Sequence, residues 1–284
     1  MKLLRYGEKG QEKPGILDAQ GRVRDLSDEI DDLAGEVLTQ AGLARLAQLD
    51  LDALPLVEGT PQADLRLGQC VADVGKFVAI GLNFTDHAEE AGLAIPTEPV
   101  VFNKWITCLS GPDDDIVIPT GSTKIDWEVE LGIVIGDGGQ NLSQAEAMEA
   151  VAGWCVVNDV SEREWQLERA GTWDKGKGFD TFGPIGPWLV TRDYIPDPSN
   201  LHMWLDLDGQ RMQDGSTANM IFPVAELVSY CSRFMRLVPG DIITTGTPAG
   251  VGLGMSPPRW LKPGETVRLG IEGLGVQTQR VRGA

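Results

Sequence analysis

The stretch Asp126-Trp127-Glu128-Val129-Glu130-Leu131-Gly132-Ile133-Val134-Ile135-Gly136 places acids at alternate positions of a segment that ends in a continuous apolar run. Successive side chains of a strand point to opposite faces, so this spacing puts Asp126, Glu128 and Glu130 on one side and Trp127, Val129 and Leu131 on the other. Three carboxylates on one face repel, and an uncompensated buried carboxylate is very costly. Either the face is wet, as on an edge strand that uses charge to discourage pairing, or a hard divalent cation neutralises it. The Gly132 to Ile135 run argues against a fully wet strand and favours the cation.

Composition narrows the setting. A chain of 284 residues fits one large domain, or a small domain plus a main one. A formal net charge of −18 speaks against nucleic acid, whose phosphates demand basic patches, and leaves the local charge of a substrate site open. Cys70, Cys108, Cys155 and Cys231 lack metal-type spacing and sit among apolar or small residues, as reduced core thiols do. The opening Met1 to Gly7 is too short and polar for a signal peptide, and no apolar run approaches the ~18 residues of a membrane span. These features predict a soluble, cytoplasmic protein with no nucleic-acid or membrane partner.

The chain divides into two unequal parts. Residues 1–70 open with a strand over Lys2 to Tyr6, continue through a hairpin around Ala19-Gln20-Gly21, and carry apolar residues at helical spacing from Asp31 to Leu49. Pro55 to Arg66 reads as a linker, so this part is expected to be a small N-terminal α+β domain. Residues 71–284 are expected to form the catalytic domain. Short β-rich runs dominate there: Phe77 to Ile80, Gly132 to Ile135, Trp154 to Val157, Ile185 to Val190, Met203 to Leu207, Asp241 to Thr245 and Thr266 to Ile271. Helical patterns interrupt them at Ser143 to Val151, Ser161 to Arg169 and Pro223 to Leu237. Many short strands with few helices predict an α+β fold built on a rolled or sandwiched mixed sheet.

Three further clusters carry chemistry. In Asn83-Phe84-Thr85-Asp86-His87-Ala88-Glu89-Glu90, Thr85 or Asp86 can cap a short helix that sets His87 and Glu90 three residues apart on one face. A carboxylate fixing one imidazole nitrogen leaves the other to move a proton or hold a water. The only other histidine, His202, reads as a surface residue. Asp159 ends the apolar strand at Val157 and can supply a metal oxygen, or simply cap the helix expected from Ser161. Arg163 and Gln166 share a face of that helix and could grip a substrate carboxylate, which suits the planar fork of arginine. Lys177 lies in a glycine-bounded loop where backbone can approach a ligand. Thr244 to Gly254 follows a strand and is rich in glycine, so its N–H groups could bind an anionic oxygen, although it matches neither a P-loop nor a dinucleotide fingerprint. Asp113-Asp114-Asp115 reads as a solvated turn.

Taken together, these motifs resemble the fumarylacetoacetate hydrolase family. The resemblance runs from about Phe77 to Gly270 and rests on Gly81 to Glu90, Asp126 to Leu131, Asn158 to Arg163, Lys177 to Pro184 and Thr245 to Val251 in that order. It implies metal ligands at Glu128, Glu130 and Asp159, with Asp126 supporting them, and a Mg²⁺ or Mn²⁺ ion. It implies a mixed β-roll with a smaller N-terminal domain, assembled as a homodimer. Lys177 would face the substrate, Arg163 and Gln166 would hold its carboxylate, Thr247 would bind an oxygen, and His87 with Glu90 would activate water from a mobile segment. Phe84 stands where many relatives have tyrosine.

The implied reaction is hydrolysis of the C3–C4 bond of a 2,4-diketo acid, an acylpyruvate. Lys-Leu-Leu-Arg-Tyr-Gly at the start and Ser161 to Gly171 look like the branch that acts on diketo sugar acids, with 2,4-diketo-3-deoxy-L-rhamnonate giving pyruvate and L-lactate. The same resemblance leaves ureidoglycolate lyase, oxaloacetate decarboxylase and 2-hydroxymuconate-type isomerase as alternatives. A catalytically silent metal-binding dimer is disfavoured by the intact His87, Glu90 and Lys177.

Overall fold

A computed structural model describes residues 1–284. Three N-terminal strands, β1 (Lys2–Tyr6), β2 (Lys13–Leu17) and β3 (Val23–Asp25), form the expected hairpin and its continuation. They are followed by β4 (Phe77–Gly81), β5 (Val100–Lys104), β6 (Leu109–Ser110), β7 (Ile116–Ile118), β8 (Ile125–Asp126), β9 (Val129–Ile135), β10 (Val151–Asn158), β11 (Ser161–Glu162) and β12 (Gly183–Thr191). The last five are β13 (His202–Leu207), β14 (Gln210–Ser216), β15 (Ile242–Thr244), β16 (Thr266–Ile271) and β17 (Gly275–Gly283). A ten-stranded sheet runs β3-β2-β1-β12-β10-β9-β15-β4-β5, with β6 added on β12; a five-stranded sheet runs β14-β13-β16-β17-β7, and β8 pairs with β11. Pairing is mostly antiparallel, with β15 and β4 parallel. The result is the expected α+β, sheet-rich roll.

The large sheet crosses the boundary expected at residue 70, because β1 pairs with β12 through Lys2↔Val190 and Leu3↔Leu189. Leu3, Trp154, Leu189, Ile133 and Val267 belong to one buried cluster that spans both sheets. Burial of this kind contributes roughly 25 cal/mol per Å² of apolar surface and holds the sheets together.

Helices are short and few: α1 (Gln40–Leu46), α2 (Thr85–Ala91), α3 (Gln144–Glu149), α4 (Asp174–Lys177) and α5 (Val224–Phe234). Ser143 caps α3 in a full capping box with Glu146, satisfying free N–H groups at the helix start. The long helix expected over Asp31 to Leu49 is reduced to a 3₁₀ turn at Gly35–Leu38 and α1, since Gly35 takes a left-handed φ of 49° and Thr39 starts a new helix as N-cap.

Four local expectations are corrected. The strand read through Asp126 to Gly136 is interrupted at Trp127 and Glu128, so β8 and β9 pair with different partners. The Asp126 carboxylate accepts the Trp127 N–H at 2.9 Å, a local bond that competes with continued strand pairing. Ser161 to Arg169 is not a regular helix but β11 followed by one π-helical turn over Glu164–Glu168. Lys177 ends α4 instead of lying in a loop. The Asp113 to Asp115 run is not merely solvated: Asp113 accepts the Thr278 N–H, Asp114 pairs with Arg66 at 2.8 Å, and Asp115 pairs with Arg282. All four cysteines are buried free thiols.

Candidate metal centre and active site

The ends of β9 and β10 bring Glu128, Glu130 and Asp159 together, with one carboxylate oxygen from each within 4.8 Å of the others, all buried. Asp159 follows β10 directly, and its N–H donates to the Glu128 carbonyl at 2.9 Å, which locks the two acids in register. Asp126 stands beside them, also fully buried, and is fixed by the N–H groups of Gly252 at 2.7 Å and Leu253 at 3.0 Å.

Three cations answer these four acids. Lys177 Nζ donates to Glu128 Oε2 at 2.7 Å and Asp159 Oδ2 at 2.8 Å. Burial opposes the lysine charge, but Asp159 and Glu128 outweigh it and hold the ammonium above its usual pKa. Arg163 donates from Nε to Asp126 at 2.8 Å and from Nη2 to Glu128 at 2.7 Å. Lys104, on β5, donates to Asp159 Oδ1 at 2.6 Å and to the Lys177 carbonyl. Burial likewise opposes the charge of Glu128, and Lys177 with Arg163 outweighs it, so its carboxyl lies below the usual range.

Glu130 is different. Its Oε2 accepts from the Thr244 hydroxyl and the Gly246 N–H, and no ammonium or guanidinium contacts it. Burial and the adjacent Asp159 and Glu128 charges push its carboxyl well above the usual range. One acid too many for the cations, in an all-oxygen set at the end of a rigid sheet, is what a hard divalent ion fits. Glu128, Glu130 and Asp159 would hold it.

A cavity of about 130 Å³ opens over this centre and is walled by His87, Glu128, Glu130, Arg163, Gln166, Lys177 and Thr247 together with apolar residues that include Phe102 and Trp173. A wider cleft of about 600 Å³, lined by Asp28, Glu29 and Asp32 among others, lies in the N-terminal segment and contains none of the expected site residues. The residues expected from sequence therefore line one cavity, except Asp159, which is held against Lys177, and Glu90, which is held against His87. Helix α2 starts after Phe84, whose side chain is buried in the core, so neither Thr85 nor Asp86 occupies the N-cap position; Asp86 instead accepts from the His87 N–H at 2.9 Å and from Asn219. His87 Nδ1 lies 3.3 Å from Glu90 Oε2, and Glu90 Oε1 accepts the Gly250 N–H at 2.9 Å. With a carboxylate at Nδ1, that nitrogen is assigned the proton, leaving Nε2 as acceptor. His202, by contrast, is exposed and pairs with Asp214.

Two expected roles change with this geometry. Arg163 directs Nε and Nη2 to Asp126 and Glu128, and Nη1 donates to Gln166 Oε1 at 2.9 Å, so the guanidinium is a brace for the acids and cannot fork a substrate carboxylate. The Gln166 amide nitrogen and the remaining Nη1 hydrogen are the donors left in this pair. Thr247 Oγ1 donates to the Val129 carbonyl at 2.9 Å and accepts from Gln213 at 2.7 Å, so its hydroxyl pins the loop to β9 and only its backbone N–H is left to donate. Sequence reading missed Lys104, Phe102 and Trp173. The signal existed for the first two, since Phe102 and Lys104 occupy the buried face of β5 at period two while Asn103 is exposed. Trp173 lies against Gly81, where an added Cβ would come within 2.2 Å of its ring, and no local pattern announces that approach.

The model of the fumarylacetoacetate (FAA) hydrolase C-terminal family matches residues 76–282. The chain belongs to the fumarylacetoacetate hydrolase family. A protein of Burkholderia cenocepacia, named in general terms as a hydrolase with no substrate given, is 64% identical over 285 residues covering 100% of both chains. The maleylpyruvate hydrolase of Sphingobium sp. SYK-6, solved with manganese(II) ion and pyruvate, superposes with a TM-score of 0.81 at 25% identity over 100% of both chains. The 5-carboxymethyl-2-hydroxymuconate delta-isomerase of Mycobacterium smegmatis superposes with a TM-score of 0.77 at 31% identity, covering 100% of this chain and 99% of that one. The family thus includes hydrolases and isomerases on this fold, and a relative of this chain binds a divalent metal.

Proposed function

We propose that this protein is a divalent-metal-dependent hydrolase that cleaves the C3–C4 bond of an acylpyruvate. The observation that carries the reading is the cluster of three buried carboxylates bound to Lys177, two of them lining the small cavity that His87 also lines. A Mg²⁺ or Mn²⁺ ion held by Glu128, Glu130 and Asp159 would supply Lewis acidity at the 2-oxo acid end of the substrate. Lys177 donates to the C2 oxygen as negative charge develops there, the Thr247 N–H and the Gln166 amide orient the carboxylate, and Arg163 and Lys104 keep the acids in place. His87 Nε2 takes the proton of the attacking water, and Glu90 holds the ring through Nδ1 and stabilises the imidazolium. Attack at C4 and loss of the C3–C4 bond give a pyruvate enolate, which is protonated at C3, and a second carboxylic acid.

The finer reading is that the substrate is 2,4-diketo-3-deoxy-L-rhamnonate, giving pyruvate and L-lactate. We further propose a homodimer acting in the cytoplasm, with residues 1–70 as an accessory domain and with no nucleic-acid or membrane partner. The net charge of −18 supports the absence of nucleic acid, and no helix is long and apolar enough to cross a membrane. Isomerisation is the second reading, favoured by the solved isomerase that shares the fold.

Pyruvate release from 2,4-diketo-3-deoxy-L-rhamnonate, acetylpyruvate and ureidoglycolate, with Mg²⁺ and after chelation, tests the proposal. Metal-dependent pyruvate with one lactate from the sugar acid is expected, and Glu90→Gln should lower kcat by about 10²-fold or more. Pyruvate from acetylpyruvate alone would discard the rhamnonate assignment, no pyruvate from either would sink hydrolysis, and wild-type turnover in Glu90→Gln would remove Glu90 from the mechanism.

A further inference from the structure

We propose that Gln213 is a positioning residue of the metal centre, tying the backbone between two of its carboxylates to the loop that faces the substrate. The inference rests on the metal and 2-oxo acid reading above and adds to it a side chain from the second sheet. The need for it arises where β15 stops. Along β9, the backbone groups of successive residues point alternately to the two neighbouring strands. Glu128 faces β10, where its carbonyl accepts the Asp159 N–H and its own N–H donates to Asn158 Oδ1 at 3.2 Å. Leu131 faces β15 and accepts the Thr245 N–H at 3.1 Å. Val129, between Glu128 and Glu130, faces the same way, but β15 has ended at Thr244 and the chain turns at Gly246, where φ is +89°. Without another partner, its N–H and carbonyl would be orphans inside the protein, which is costly.

Gln213 replaces the missing strand. It is fully buried on β14, and its Oε1 accepts the Val129 N–H at 2.9 Å. Its Nε2 donates to Thr247 Oγ1 at 2.7 Å and to the Pro248 carbonyl at 2.9 Å, and Thr247 Oγ1 donates in turn to the Val129 carbonyl at 2.9 Å. These bonds close a ring through Val129, Gln213 and Thr247. A peptide N–H at one end and a carbonyl at the other fix the orientation of the amide, and neither hydrogen of Nε2 is left over. Pairing of β14 with β13 runs Leu205↔Gln213 and then Asp206↔Arg211, so Met212 is unopposed in a β-bulge, a device that re-aims a neighbouring side chain. On one side of the ring stand Glu128 and Glu130, and on the other the Thr247 N–H that orients the substrate carboxylate. Gln213 therefore couples the span of the ligand pair to the seat of that carboxylate.

Two probes read the two sides of the ring separately: Mn²⁺ titrated calorimetrically into the metal-free protein, and pyruvate into the Mn²⁺-loaded protein. Gln213→Leu removes all three bonds of the amide and should raise the Kd for Mn²⁺ by about tenfold or more and that for pyruvate by about fivefold or more. Thr247→Val breaks the ring from the opposite side and should raise both constants, while Thr247→Ser, which keeps the hydroxyl, should leave both near those of the wild type. If Gln213→Leu does not fold, the two Thr247 variants decide alone. A lowered Tm with either constant unchanged would reduce Gln213 to a prop of the fold and overturn the proposal, as would losses in Thr247→Val that Thr247→Ser does not regain. Absence of Mn²⁺ binding in the wild type would overturn this inference and the hydrolase reading together. Weakened binding of both probes in variants of a protein that cleaves no diketo acid would retain this inference and remove the hydrolase reading, whereas cleavage with unchanged constants would do the reverse.

Discussion

Glu130 concentrates the electrostatics of the site in one side chain. Burial and the charges of Asp159 and Glu128 outweigh the hydrogen bonds it receives from Thr244 and Gly246, so its proton is held above the ordinary carboxyl value of 4.5. A folded pKa above the unfolded one means that the group's stabilising contribution is full below the unfolded value and is lost as pH rises through the folded value. A divalent ion requires the carboxylate, so metal uptake within that window expels the proton. Titrating Mn²⁺ into the protein by calorimetry, in buffers of different ionisation enthalpy at one pH in the window, should give a slope approaching one proton released per ion. A slope of zero would mean that Glu130 is already ionised and that the acids are better compensated than the contacts indicate. At this scale the ligand set could be read from residue types and order, because acids at alternate positions before an apolar run have few structural explanations. The brace formed by Arg163 and Lys104 could not, since it depends on which segments fold back over β9 and β10.

Among the elements, the loop from Thr245 to Gly254 organises the most. Its backbone N–H groups reach Glu130 from Gly246, Glu90 from Gly250, and Asp126 from Gly252 and Leu253. Gly250 adopts φ +103°, and a Cβ there would lie 2.0 Å from the Met212 carbonyl oxygen, so an alanine must shift the chain. Gly250→Ala should lower kcat/KM by about tenfold to 100-fold by releasing Glu90, while changing Mn²⁺ affinity by less than about threefold because Gly246 and Thr244 still hold Glu130. Steady-state kinetics beside a metal titration separates the two, and a parallel loss of metal affinity would show that the whole loop moves. The glycine content made this loop visible as an anion-binding candidate, but the anions are the protein's own carboxylates. The Ser161 to Arg169 segment was less legible. Its apolar and charged spacing suits a helix, yet β11 is drawn into pairing with β8, and Glu162 then accepts the Trp165 N–H to begin a π-helical turn. Non-local pairing overrides local periodicity there.

For the molecule as a whole, the large sheet does not stop where composition changes. Pro55 to Arg66 looks like a linker, and the family match begins at residue 76, but β1 lies against β12 and Leu3 is buried in the main core. A sheet edge shared across that boundary should make both parts lose structure together. Differential scanning calorimetry is expected to show one transition; two resolved peaks would mean that residues 1–70 unfold independently. The roll itself was legible because strand-length apolar runs outnumber helical ones throughout residues 71–284, and β16 and the central strands lie where those runs are. Strand order was not legible, since β15 joins β4 in parallel across more than 160 residues of chain and nothing local encodes that partnership.

The backbone grip of the glycine-rich loop also bears on how such a protein can change its diet over evolutionary time. A peptide N–H survives almost every point mutation, so the hold of Gly252 and Leu253 on Asp126 is independent of which side chain position 253 carries. That same residue also lines the cavity. Chemistry and taste are therefore inherited through different atoms of one residue, and a lineage can exchange the second while leaving the first untouched.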